Sequence, residues 1–148
     1  MVPRRAVMWG DSLIAAKASR STFFYSNTVP QQQVFNQRNW THLENYVLND
    51  LEPKSKHLSV FAGPVSRQTD VEYRGRRIPR SFWMIAVASD ESDPRHFFVH
   101  AFIMDQYVIL ANGTVKPMEP IRKFNPADYK VSVAAIEAIT PLLFGNLR

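Results

Sequence analysis

Asn36-Gln37-Arg38-Asn39-Trp40-Thr41-His42-Leu43-Glu44-Asn45-Tyr46-Val47-Leu48-Asn49-Asp50-Leu51 is the stretch on which the fold turns. Trp40, Leu43, Val47 and Leu51 recur at spacings of three and four, which draws one apolar stripe along a helix. Pro53 closes it. Asn36 falls in line with the stripe, because Leu43, seven residues on, has nearly the same azimuth. A polar amide turned toward a core must find partners or it costs stability. Two accounts stay open. Asparagine caps helix N-termini well, and on the helix pattern alone the cap is the simpler account. The other partner is a metal ion, since magnesium keeps most of its waters and often takes only one or two protein oxygens. Glu44, two turns further along, lies on an adjoining face from which it reaches water around such an ion.

Working outward, Asp11 to Arg20 is Ala-rich and reads as a short helix. Thr22 to Ser26 (TFFYS) is aromatic and reads as a strand, broken by Pro30 and the three glutamines behind it. Beyond the central helix, Leu58 to Ala62 reads as a strand ending at Gly63-Pro64. Ser66 to Arg80 is polar and arginine-rich and reads as a loop. Ser81 to Ala88 (SFWMIAVA) is a buried strand, and Asp90 to Arg95 a turn. Phe97 to Met104 and Tyr107 to Ala111 are two further strands, with Asp105-Gln106 between them suggesting a hairpin. Asn112-Gly113 marks another turn, and Ser132 to Ile139 a short amphipathic helix. The sum is a mainly antiparallel sheet with flanking helices, an α+β domain spanning residues 1–148.

Composition narrows the function. The 148 residues are 45% hydrophobic and 21% charged, enough for an ordinary core. The absence of cysteine excludes disulfides, Cys-based zinc sites and a thiol nucleophile. The net charge of +5 favours a polyanionic partner without demonstrating one. No apolar run approaches the ~20 residues a membrane helix needs.

Three sets of residues carry a resemblance. The first is Thr22-Phe23-Phe24-Tyr25-Ser26-Asn27 followed by Pro30-Gln31. The second is Phe35-Asn36-Gln37, then Trp40, then Leu43-Glu44. The third comprises Val60-Phe61 leading to Gly63-Pro64, Ile78-Pro79 leading to Phe82-Trp83, and Ile136-Glu137 with Thr140. In order and spacing the chain resembles the DNA/RNA non-specific endonucleases, which include secreted bacterial nucleases and mitochondrial endonuclease G. The resemblance implies a ββα-metal (His-Me finger) nuclease fold that hydrolyses phosphodiester bonds of DNA and RNA with little sequence preference. It implies one divalent ion, usually Mg2+ with Mn2+ as a substitute, held by a single asparagine side chain. That ligand maps onto Asn36, a water-orienting glutamate onto Glu44, and a further site asparagine onto Asn27. With the full motif present, the ligand reading of Asn36 overtakes the cap.

The family's catalytic base is a histidine in an Asp-Arg-Gly-His motif, and these residues do not contain it. Met1 stands where the residue after that histidine is expected, so the strand that carries the motif is expected to be missing. His42 is six residues from Asn36, about 120° around the helix, and reads as a solvated residue. His96 and His100 lie ~13 Å apart along a strand, too far to share one ion. His57 opens a strand alone. None is assigned as base. The arginine that relatives often carry four residues after the glutamate is Leu48 here. Arg4 and Arg5 are candidate phosphate contacts. The run Arg74, Arg76, Arg77 and Arg80 is a possible backbone-binding patch, though a solvated loop is the simpler account. An unpaired sheet edge is an expected place for self-association. The rival functions are a nucleic-acid- or protein-binding remnant that does not cut, and one part of a split nuclease.

Overall fold

The computed structural model describes residues 11–21, 29–51, 57–90, 93 and 96–147. The chain forms two compact units, Met1–Pro30 and Gln31–Arg148. In the first, helix α1 (Ser12–Ser21) starts where the Asp11 carboxylate accepts the N–H groups of Leu13 and Ile14, both at 2.9 Å. The expected TFFYS strand and Asn27, like Arg4 and Arg5, lie outside the described residues.

The second unit joins a long helix to a four-stranded antiparallel sheet. The helix is continuous over three segments: a wide π turn Phe35–Asn39, the α-helix α2 (Trp40–Tyr46), and a second wide turn Val47–Leu51. The strands in chain order are β1 (Leu58–Val65), β2 (Val71–Tyr73), β3 (Arg76–Ile78), β4 (Ser81–Ser89), β5 (Phe97–Asp105), β6 (Tyr107–Ile109), β7 (Val115–Pro117) and β8 (Lys130–Val131). The main sheet runs β1-β4-β5-β8. The nearly unbroken apolar run of β4 suits a strand covered on both faces, and eight of its nine residues are buried.

Side chains alternate between the faces of β4. Phe82 meets the long helix, with its ring centroid 5.5 Å from Phe35 and 5.9 Å from Trp40. Trp83 and Ile85 point the other way and form a second core with Val65, Ala101, Val133 and Ile136. Helix α3 (Val133–Glu137) supplies the last two, and the Ser132 side chain caps it by accepting the Ala135 N–H at 3.1 Å. Gly63 pairs with Trp83 across β1 and β4, where a Cβ would come within 3.0 Å of the indole ring. Among the described residues β1 forms one edge of the sheet, and the opposite edge strand, β8, has only two residues.

Two sequence expectations are corrected. Segment 66–80 is not a plain loop: β2 and β3 pair there, around a turn in which Arg74 and Gly75 both have positive φ (51° and 72°). That is the backbone of a tight hairpin turn, hidden in sequence because arginine is an unusual residue at such a φ. Nor do β5 and β6 form a hairpin. β6 pairs with β7 across the Asn112-Gly113 turn, and Gln106 is a buried break between β5 and β6. Among the described residues no helix is long and apolar enough to cross a membrane.

Candidate metal site

The site is assembled around the start of the long helix. The cap there is Gln32, whose side-chain Oε1 accepts the Phe35 N–H at 2.7 Å and whose carbonyl accepts the Asn36 N–H at 2.9 Å. Asn36 is therefore not the N-cap, and its side chain is released for other work. Its Nδ2 donates to Gln31 Oε1, which turns the amide so that Oδ1 is the free end. Among the described residues no donor is bonded to that oxygen, and the residue is only half-buried.

The wide first turn explains that exposure. A π turn holds more residues than an α turn. Counting back from Trp40, Asn36 is thus rotated off the buried stripe and toward the flank that carries Glu44. The stripe position is taken by Asn39, which is 2% exposed and fully employed. Its Nδ2 donates to the Glu119 carbonyl and its Oδ1 accepts the Ile121 N–H, both at 2.9 Å. The sequence reading placed Asn36 on the stripe, and the structure assigns that structural role to Asn39.

Glu44 follows Asn36 by eight residues, about 12 Å of axial rise, and helical side chains lean toward the N-terminus. Burial pushes its carboxyl up from the ordinary 4.5 to about 7. The Trp40 indole, one turn before, pulls weakly the other way, although its Nε1 closes no hydrogen bond among the described residues. A half-buried carboxylate whose desolvation outweighs its compensation is a group that gains from a nearby cation.

What holds this helix end in place is Gln106, which sequence reasoning read only as a turn residue. It is fully buried. Its Oε1 accepts the Gln32 N–H at 2.6 Å and its Nε2 donates to the Pro79 carbonyl. The one available signal was a glutamine flanked by apolar strands, since such a residue is seldom buried without a dedicated set of bonds.

The remaining candidates separate. Arg80 is structural: it binds Asp105 at 3.0 Å, and Asp105 also accepts from Ser81, which in turn accepts from Arg67. Arg77 donates to Gln68, and Arg74 lies over the Tyr73 ring. His96 faces Asp90 at 3.4 Å, and His42, although exposed, stacks on Phe124. The ring of His100 is held below its usual pKa, first by burial and then by Lys130. Among the described residues no hydrogen bond or ion pair joins a histidine to Asn36 or Glu44, and no group of three or more His, Asp or Glu side chains is gathered for a metal. A site with a single asparagine ligand needs no such group: Asn36 would be the ligand of a hydrated ion, and Glu44 would face the water around it.

The family model for DNA/RNA non-specific endonucleases matches residues 1–147. The chain belongs to the DNA/RNA non-specific endonuclease family. Among its relatives is protein y4fB of Sinorhizobium fredii, 30% identical over 99% of this chain and 22% of that protein. Another is the mitochondrial nuclease EXOG of Xenopus laevis, 26% identical over 91% of this chain and 38% of that one. The chain thus spans well under half the length of these relatives. Its fold matches a chain in the EndoG/EndoGI complex with a TM-score of 0.66 at 20% identity, covering 89% of this chain and 54% of that one. The α+β fold expected from the endonuclease resemblance is the fold observed.

Proposed function

We propose that this chain is the metal- and substrate-holding body of a non-specific endonuclease acting on phosphodiester bonds of DNA and RNA. The observation that carries the reading is Asn36: relieved of capping by Gln32, held through Nδ2 by Gln31, and with no donor bonded to Oδ1 among the described residues. In this reading Asn36 is the one protein ligand of Mg2+ or Mn2+. The ion, when bound, stabilises charge on the scissile phosphate and the departing oxygen. Glu44 accepts a hydrogen bond from water beside that phosphate and so orients it. The family resemblance carries a further site role to Asn27 and substrate contacts to Arg4 and Arg5, and contacts to phosphate supply affinity without reading sequence.

The 148 residues contain no Asp-Arg-Gly-His, and no described histidine is bonded into the site. General-base help is worth roughly 10² to 10⁴ in rate. A second reading is that the chain binds nucleic acid without cutting it. Plasmid and RNA cleavage with Mg2+, with and without added imidazole as an external base, separates the two. Weak cutting that imidazole raises and Asn36→Ala abolishes supports the nuclease. Binding without cutting, with or without imidazole, supports the second reading.

A further inference from the structure

The Asn39 amide does more than fill a core position. By gripping the backbone at Glu119 and Ile121 it lays the following segment, Arg122-Lys123-Phe124, alongside the long helix. There the Phe124 ring lies between two others. His42 stacks on it at 5.7 Å with 18° between planes, and Tyr129 at 5.7 Å with 7°. Tyr46 touches the same ring at 6.5 Å and stands edge-on against Phe102 of the sheet at 6.1 Å. The stack is therefore footed on the core, and its outermost ring, His42, is exposed.

Cations adjoin its residues in sequence. Arg38 lies one turn before His42, Arg122 and Lys123 immediately precede Phe124, and Lys130 follows Tyr129, all four exposed. Among the described residues none of them is in an ion pair. The nearby acids are otherwise placed: Glu119 pairs with Lys116 at 3.5 Å, and Asp128 accepts from the Asn125 side chain at 3.0 Å. A stack that merely packed a loop on a helix would not need an exposed terminal imidazole, nor exposed cations beside each of its segments in sequence that make no ion pair among the described residues. His42 and Glu44 differ by two residues, about 160° apart around the helix, so this surface lies on the flank opposite the metal site.

We propose that this surface binds an unpaired stretch of nucleic acid: a base stacks on the outer face of His42, and flanking phosphates rest on Arg38, Arg122 and Lys123. Aromatic stacking suits single strands because every base offers a π face, and the cations add sequence-independent affinity. The proposal rests on the reading of the chain as a nucleic-acid enzyme, and deepens it by naming unpaired strand as a preferred form of substrate.

The test is fluorescence anisotropy of a labelled oligo-dT and of a duplex of equal length, in EDTA so that nothing is cut. His42→Ala is expected to weaken oligo-dT binding roughly ten-fold and leave duplex binding nearly unchanged. His42→Tyr, which keeps a ring, is expected to restore it. The Arg122→Ala/Lys123→Ala pair is expected to weaken binding and to lower the salt slope for the single strand by about 1.4. Equal oligo-dT affinity in wild type and His42→Ala overturns the platform and leaves the nuclease reading standing. No binding of either nucleic acid by the wild type at low salt overturns both.

Discussion

Gln106 receives the backbone N–H of Gln32 at 2.6 Å across 74 residues of sequence, and through it the sheet fixes the start of the helix that carries Asn36. The bond is wholly buried at the glutamine end. It ties together the residue that caps the helix and the turn at Pro79 that leads into β4.

Gln106→Leu keeps the volume and removes both bonds, leaving the Gln32 N–H and the Pro79 carbonyl unpaired. Each unpaired buried group costs about 1–3 kcal/mol. A lower urea midpoint with an unchanged m-value is expected, together with weaker metal binding because the cap at Gln32 loosens. An unchanged midpoint would mean that water replaces both bonds at no cost.

Asn36 and Asn39, three residues apart, are expected to part company on substitution. Asn39→Ala strands the Glu119 carbonyl and the Ile121 N–H, and a loss on the order of 2–4 kcal/mol follows. Asn36→Ala, at a half-buried position outside the cap, should cost under about 1 kcal/mol. Thermal unfolding of the two variants side by side checks the ordering, and the reverse ordering contradicts the assignment.

These two asparagines also show where sequence legibility ends. The helix, its stripe and the buried strand β4 were readable, because periodicity is a local signal. The exchange of roles between Asn36 and Asn39 was not. It goes with a wide turn and with distant partners of Gln32 and Asn39, neither of which the local pattern announces. The β2–β3 hairpin escaped for a related reason: Arg74 carries the positive φ where Asn or Gly is the usual signal. The aromatic stack needed Phe124 and Tyr129 to meet His42 across some 80 residues, which no spacing announces.

Stability should fall as pH rises through the range of Glu44. Its folded pKa, about 7, lies above the ordinary 4.5, so the folded state holds the proton more tightly than the unfolded chain. That contribution is complete below pH 4.5 and is lost as pH climbs to about 7. The span corresponds to at most about 3 kcal/mol. Glu44→Gln should therefore gain on the wild type between those pH values, by roughly 1–3 kcal/mol in urea unfolding. A difference between the two proteins that does not change with pH would contradict the raised pKa.

Gly63→Ala drives a methyl group against the Trp83 indole, on the side of the sheet away from the long helix. A loss of about 1–3 kcal/mol is expected from overpacking. Because the strain falls on the other core, metal binding should be preserved. A variant that is as stable as the wild type would mean that Trp83 moves freely, in conflict with its packing against Phe144 at 5.4 Å.

The central claim is that Asn36 Oδ1 is the protein's own ligand to the divalent ion. Titration of Mn2+ into the wild type and Asn36→Ala, followed by water-proton relaxation, tests it without requiring any cutting. The account predicts a weak single site in the wild type, weakened further in Glu44→Ala, retained in Gly63→Ala, and absent in Asn36→Ala. Equal Mn2+ affinity in wild type and Asn36→Ala would contradict it.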